Sequence, residues 1–424
     1  MDCTFSPAAD LGRLEAAIAG LYAPAAVPAQ LRRYRRLFEG FAETFGPCDR
    51  AAVFSAPGRT EIGGNHTDHQ HGRVLAGSVD LDIIAAAAPN GERVIRLQSE
   101  GFPMDVVDLD DLEVRPEEYN RSVSILRGIA AWFARQGCRL EGFNAYTTST
   151  VFKGSGLSSS AALEVLLGNI FNSLFNEDKC TPVQLAQIGQ YAENVYFGKP
   201  SGLLDQMGSS VGGMVTIDFA DNGHPAVEKL DFDFASAGHA LCIIDSGADH
   251  ADLTDEYAAV PGELKKVCAH FGKSVLREVA EEDFCAALPA LRRECGDRAV
   301  LRAMHVYAEN RRVEEQVSAL RRGDFERFLA LVKDSGLSSW RYLQNVVPAG
   351  YKEHQEVALA LSLAERLLNG RGACRVHGGG FAGTIQAFVP LEMLEGFKAG
   401  MERVLGEGMC HVLTIRPVGG VRLV

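Results

Sequence analysis

Apolar positions along the chain recur at two spacings, and the changes between them mark out the elements. Leu14, Ile18 and Leu21, then Leu31, Tyr34, Leu37 and Phe41, share helical faces. Residues 9–46 therefore read as helix, broken into two pieces by Pro24 and Pro28. Residues 51–55 form a short apolar strand ending at Pro57-Gly58, and Val79, Leu81 and Ile83 alternate as a second strand does. An amphipathic helix fits 122–136. The clearest helix follows Ser160, where Leu163, Leu166, Leu167, Ile170, Phe171 and Leu174 fall on one face. Another helix fits 182–197, with strands at 211–219 and 240–245. Beyond them the pattern predicts helices at 256–271, 298–321, 324–334 and 352–368, and strands at 383–389 and 411–416. Asp221–Gly238 is polar and rich in turn residues. A break there divides the chain into an N-terminal domain, 1–220, and a C-terminal domain, 221–424. Strands do not alternate strictly with helices, so the fold class is α+β.

Composition narrows the setting. The 424 residues exceed one typical domain. A formal net charge of −13 argues against a nucleic acid or an anionic membrane as partner, while leaving room for one anionic ligand in a local pocket. The ten cysteines are scattered without a C-x-x-C pair, the pattern of reduced structural thiols rather than a zinc ribbon or a redox dithiol. The most apolar run, Leu81–Ala88, is too short to span a bilayer. Residues 1–11 show no secretory pattern, and a cytoplasmic protein is expected.

Three glycine-rich segments carry the chemistry. In Lys153-Gly-Ser-Gly-Leu-Ser-Ser-Ser-Ala-Ala162 a loop runs straight into the clearest helix. Gly154 and Gly156 admit close backbone approach, Ser155, Leu157, Ser158, Ser159 and Ser160 complete the loop, and the helix start offers N–H groups and a positive dipole end. No Gly-Lys-Ser/Thr closes it, so it is not a Walker loop. Spacing alone leaves an anion cradle and a serine-capped helix equally open. Ala56–Asp68 packs Arg59, Glu61, His66 and Asp68 among glycines and a proline, which suits a polar-ligand loop. His66, His69 and His71 with Asp68 raise a metal alternative, at a spacing unusual for zinc. The third segment, Val376-His-Gly-Gly-Gly-Phe-Ala-Gly383, precedes an alternating strand and is weak by itself.

In this order the three segments resemble the GHMP kinases. The second resembles the galactokinase signature within them, G-R-x-N-L-I-G-E-H-T-D-Y, which stands here as Gly58-Arg-Thr-Glu-Ile-Gly-Gly-Asn-His-Thr-Asp-His69. Ala192-Glu193 with Gly202-Leu-Leu-Asp-Gln206 is similar to the A-E-x…G-x-x-D-Q segment, and His305-Val-Tyr-Ala-Glu-Asn-Arg311 to an H-V-x-x-E-N-x-R helix. The resemblance extends over residues 30–420. It implies an N-terminal domain like domain 2 of ribosomal protein S5, a ferredoxin-like C-terminal domain and an active site between them. ATP and Mg²⁺ are the implied cofactors, and the partner is a small sugar phosphorylated at its anomeric hydroxyl. The oligomeric state stays open, with a monomer favoured.

The resemblance also implies roles. Asp205 would face the sugar O1 as base or electrostatic partner, with Arg59 holding it ionised. Gly154 to Ser160 would wrap the triphosphate. Ser160, with Ser159 as the alternative, and Glu193 would hold Mg²⁺. Asn65, His66, Asp68 and Tyr257 would line the sugar pocket, and Gly378, Gly379 and Gly380 would close it near the transferred phosphate. Two departures bear on the sugar. Asn65 stands where the signature has glutamate, and His69-Gln70 stands where Tyr-Asn is usual, a pair that resembles the His-Gln of the related galacturonate kinases. Galactose is the leading substrate. Galacturonate or arabinose is the alternative within the enzymes, and a sugar-sensing paralogue the alternative outside them.

Overall fold

The computed structural model describes residues 11–48, 50–151, 156–248 and 253–424; Gly154 and Ser155 lie outside them. In chain order the first half holds α1 (Leu11–Ala19), α2 (Val27–Phe45), β1 (Ala52–Gly63), β2 (Arg73–Pro89), β3 (Val94–Ser99) and β4 (Asp105–Asp108). It continues with α3 (Ser122–Arg135), β5 (Phe143–Ser149), α4 (Ser159–Phe175), α5 (Pro182–Tyr191), α6 (Leu204–Val211), β6 (Met214–Asp218) and β7 (Ala226–Leu230). The rest comprises β8 (His239–Asp245), α7 (Thr254–His270), α8 (Glu281–Cys295), α9 (Asp297–Arg321), α10 (Phe325–Ser338) and α11 (Glu356–Leu368), then β9 (Ala373–Val376), β10 (Thr384–Pro390), α12 (Leu394–Leu405), β11 (Cys410–Leu413) and β12 (Val421–Arg422).

The larger sheet runs β12-β1-β2-β5-β3-β4, and a β6–β7 hairpin leaves the other half of β2. β2 is buried on both faces, which is why its sequence reads as nearly continuous apolar residues rather than alternation. Ala85 and Ala87 enter the core shared with α3 and α4, while Ile84, Ala86 and Ala88 meet α1 and α2 on the other face. Pro28 does not break a helix. It lies in the first turn of α2, where its missing N–H costs nothing. β1 likewise does not stop at Pro57-Gly58. The strand passes through a register shift between Pro57 and Arg59 and continues to Gly63, a bulge being one of the few places a sheet accepts proline.

The smaller sheet, β11-β8-β10-β9, is antiparallel throughout. With α12 between β10 and β11, its chain order and strand order are those of a ferredoxin-like unit, packed on α11 and α12 through a core of its own. The turn-rich stretch Asp221–Gly238 contains β7, so the 220/221 division falls inside a hairpin of the larger sheet. Among the described residues no helix is long and apolar enough to cross a membrane.

One carboxylate ties three parts of the larger domain together. Asp82 on β2 is wholly buried and accepts from Arg33 of α2, from Tyr22 and Ser55, and from Arg416 at 2.9 Å. Burial raises its pKa, but Arg33 and Arg416 outweigh burial and hold the carboxyl below its ordinary value.

Candidate active site

The bulge in β1 sets Arg59 against the first turn of α6. Gly208 of α6 makes this approach possible, since a Cβ there would meet the Arg59 Cβ at 2.9 Å. One turn earlier on the same helix Asp205 accepts from Arg59 Nε at 2.7 Å and from Ser158 Oγ at 2.7 Å. Arg59 also donates to the Gly156 carbonyl, and its backbone N–H to the Leu157 carbonyl at 2.9 Å. The second segment, the described end of the first and Asp205 thus meet at one point. Burial raises the Asp205 pKa, but the Arg59 guanidinium, the Ser158 hydroxyl and Lys199 prevail, so it lies below the ordinary value.

The structure bears on the capping half of the serine loop's two readings. Ser158 is the N-cap of α4, yet its side chain makes no capping bond; its hydroxyl is given to Asp205. Ser158 also has φ of 56°, in the left-handed region. The N–H groups of the first turn, at Ser159, Ser160 and Ala161, are those a helix cannot satisfy internally. A helix start left without a side-chain cap is what an anion cradle would use. Gly156 has φ of 67°, and a Cβ there would lie 2.4 Å from Thr384 Oγ1 and 2.8 Å from His377 Nδ1, so the loop rests on the third glycine-rich segment.

Asp68 lies beside Asp205, under the backbone of Gly202, where a Cβ would come within 1.7 Å of Asp68 Oδ2. Burial and the Asp205 carboxylate push its pKa up to about 6. His66, His69 and Gln70 form a directed relay. Leu276 N–H donates to Gln70 Oε1 at 3.0 Å, and Gln70 Nε2 donates to His69 Nδ1 at 3.2 Å. His69 Nε2 and His66 Nδ1 are 3.3 Å apart, and His66 Nε2 is 3.0 Å from the Gly379 carbonyl, which only accepts. These partners leave His66 and His69 each protonated at Nε2. Burial keeps both rings neutral, with pKa values lowered to about 4 and about 3. Their nitrogens are thus engaged in the relay, and His71 faces Asn222 instead, at 3.1 Å.

Tyr257 closes the same end. Its hydroxyl donates to the Gly380 carbonyl at 2.7 Å, and a Cβ on Gly379 would meet its ring at 2.6 Å. Asn65 sits differently from an open substrate contact. It is wholly buried, its amide donates to Gly378 O at 2.6 Å and Glu61 Oε1 at 3.0 Å, and its oxygen accepts from Asn345 at 2.9 Å and Ser339 at 3.3 Å. It joins the loop after β1 to both the glycine turn and the end of α10. The His305–Arg311 helix stretch supports this loop from below. His305 donates to the Asn65 carbonyl, Glu309 accepts from Gly64 N–H, and Asn310 accepts from Arg73 N–H.

Ser160 is exposed on the first turn of α4, whereas Glu193 is buried. Lys199 lies 3.1 Å from Glu193 Oε1, and Ser201 and Gln206 donate to Oε2 at 2.5 and 2.9 Å. Gln206 also donates to Glu164, a buried carboxyl that burial and Glu193 push well above its ordinary pKa. Sequence reasoning did not find Lys199 or Glu164, which no pattern distinguishes from ordinary loop and helix residues, and it took His377 only as part of the third glycine-rich segment, with no role of its own.

With this geometry established, comparison with known proteins gives a consistent picture. The galactokinase galactose-binding signature matches residues 39–89, and the GHMP kinases N terminal domain matches 124–213. A galactokinase of Streptomyces coelicolor is 32% identical over 346 residues, 82% of this chain and 86% of its own. One from Glaesserella parasuis is 30% identical over 368 residues, 84% of this chain and 90% of its own. The structure of Lactococcus lactis galactokinase complexed with galactose superposes with a TM-score of 0.78 at 25% identity, covering 92% of this chain and all of that one.

Proposed function

Since the chain belongs to the galactokinase family, and is thereby an ATP-dependent sugar kinase, we propose that it phosphorylates O1 of galactose in the cleft between its two sheets, with Asp205 and Arg59 as the reacting pair. The observation that carries this reading is the junction of Arg59, Asp205 and Ser158, where the sugar segment meets the phosphate loop. The sugar lies against Asp68, His66 and Tyr257 with O1 towards Asp205. The triphosphate runs along Gly156 to Ser160, at the positive end of α4. As O1 bonds to the γ-phosphorus and ADP departs, Asp205 takes the hydroxyl proton. A carboxylate held by an arginine is a weak base, so proton transfer follows bond formation and positioning supplies most of the rate.

The oxygen donors of Ser160 and Glu193 fit Mg²⁺, a hard cation. When bound, it neutralises charge on the transferring phosphate. Lys199 contests the same carboxylate. The nine cysteines of the described residues are free, which supports a cytoplasmic setting, and a monomer suffices because the residues named come from one chain. The test is a coupled ADP-release assay over galactose, galacturonate, arabinose and glucose. Galactose should give the highest kcat/KM. Faster turnover of galacturonate or arabinose would replace the substrate while keeping the kinase, and sugar-independent or absent ADP release would overturn the reading.

A further inference from the structure

A second cavity lies away from the cleft. It encloses about 620 Å³ between the C-terminal half of α10 and α11, over β9. Its walls present Leu337 and Trp340, 46% and 49% exposed. Lys333, Arg341 and Arg371 line it against Glu365, in a chain whose net charge is −13. Arg371 is paired with Glu392 in a solvent-exposed contact, a type that exchanges at little cost. At the floor is Arg375, wholly buried, whose Nε finds no protein partner. An exposed indole beside concentrated guanidinium and ammonium groups suits a flat ring carrying phosphate: the ring stacks, and the arginine forks take the oxygens.

The element that walls this cavity also braces the loop that carries Asn65. α10 ends in a π turn, Ser339–Leu343, a geometry frequent at functional positions. Trp340 and Arg341 line the cavity, while Ser339 and Asn345 hold the Asn65 oxygen. Arg375 in turn pairs with Glu61, which accepts from Asn65. We propose that the cavity is an effector site for a nucleoside phosphate, and that its occupation reaches the sugar loop through the π turn. The binding readouts below do not depend on the proposed reaction. In a Trp132→Phe background Trp340 is the sole indole of a chain with two tryptophans. With galactose and a non-hydrolysable ATP analogue saturating the active site, UMP should quench Trp340, and calorimetry on the unaltered protein should count one equivalent per chain. Arg341→Glu and Lys333→Glu should each weaken UMP roughly tenfold, without changing basal kcat. UMP should shift the KM for galactose by about fivefold, and Ser339→Ala should keep the binding but lose the shift. Absence of saturable binding by both UMP and AMP, or binding indifferent to both charge reversals, would overturn the site. Binding that leaves KM unmoved would overturn the coupling.

Discussion

Asp205 is hydrogen-bonded to the group that weakens it as a base, and this decides what its loss should do. Asp205→Asn keeps the shape but loses the charge opposite Arg59. Its kcat should fall by about two to four orders of magnitude, with the KM for both substrates within a few-fold of normal. Near-normal turnover in the folded variant would remove Asp205 from the reaction. Asp68 behaves in the opposite sense. Burial and the Asp205 carboxylate raise its pKa from the ordinary carboxylate range to about 6, so it is protonated below about 6 and ionised above. As a hydrogen-bond acceptor for the sugar, it should make kcat/KM for galactose rise through pH 6, a limb that Asp68→Asn should lack. The stability sign follows from linkage. A carboxyl whose folded pKa is raised favours the fold at low pH, and that contribution is lost as pH rises from the unfolded to the folded value. Asp68→Asn should therefore melt above the wild type at pH 8, with the advantage vanishing near pH 4. An advantage unchanged across that range would assign the shift elsewhere.

At the scale of elements, the loop ahead of α4 is held in place by contacts rather than by a cap. Gly156→Val would set a branched side chain against Thr384 and His377 at a positive φ. Displacement of the loop should raise the KM for ATP at least tenfold, on the order of one lost phosphate contact, and leave the KM for galactose nearly unchanged. Equal loss for both substrates would mean that the variant disturbs the whole cleft. Helices with a long apolar face, such as α4, were legible from spacing alone. The serine loop was legible as a candidate, but not that Ser158 would give its hydroxyl to a partner instead of to a cap, because that partner is Asp205, 47 positions away. β1 was cut short because Pro57-Gly58 signals a turn, and only the partner strand reveals the bulge. β9, four residues long, and the exposed β7 carry too little pattern to be seen.

Across the whole molecule, buried charge does what composition cannot announce. Asp82 gathers α2, β1 and the Arg416 segment, and Asp82→Ala would leave two buried arginines unpaired. A loss of about 3–5 kcal/mol is expected in denaturant unfolding. A loss below about 1 kcal/mol would put the cluster on a par with surface pairs. Length and the change in pattern suggested a division near 220, but that point falls inside the β6–β7 hairpin, whose pairing the sequence pattern does not show. The expectation of a site between the two parts came from the resemblance, because Arg59 and Asp205, or Asn65 and Gly378, meet across sequence distances that no periodicity spans. Asn65 was legible as a departure from the signature, but its burial was not, since its partners Asn345 and Ser339 belong to the other half.

The edge of the larger sheet has a consequence for how the chain is made. β1 pairs with β12, Phe54 opposite Arg422, and Val53 bonds Leu423 and Val424. The whole ferredoxin-like unit is synthesised between these partners. On the ribosome, then, the first-made sheet waits with an open edge while the second unit is translated, and Asp82 waits for Arg416. An open edge is the part of a sheet that pairs with strangers. This chain should therefore be most exposed to misassembly, and most in need of a chaperone, during elongation through its second half.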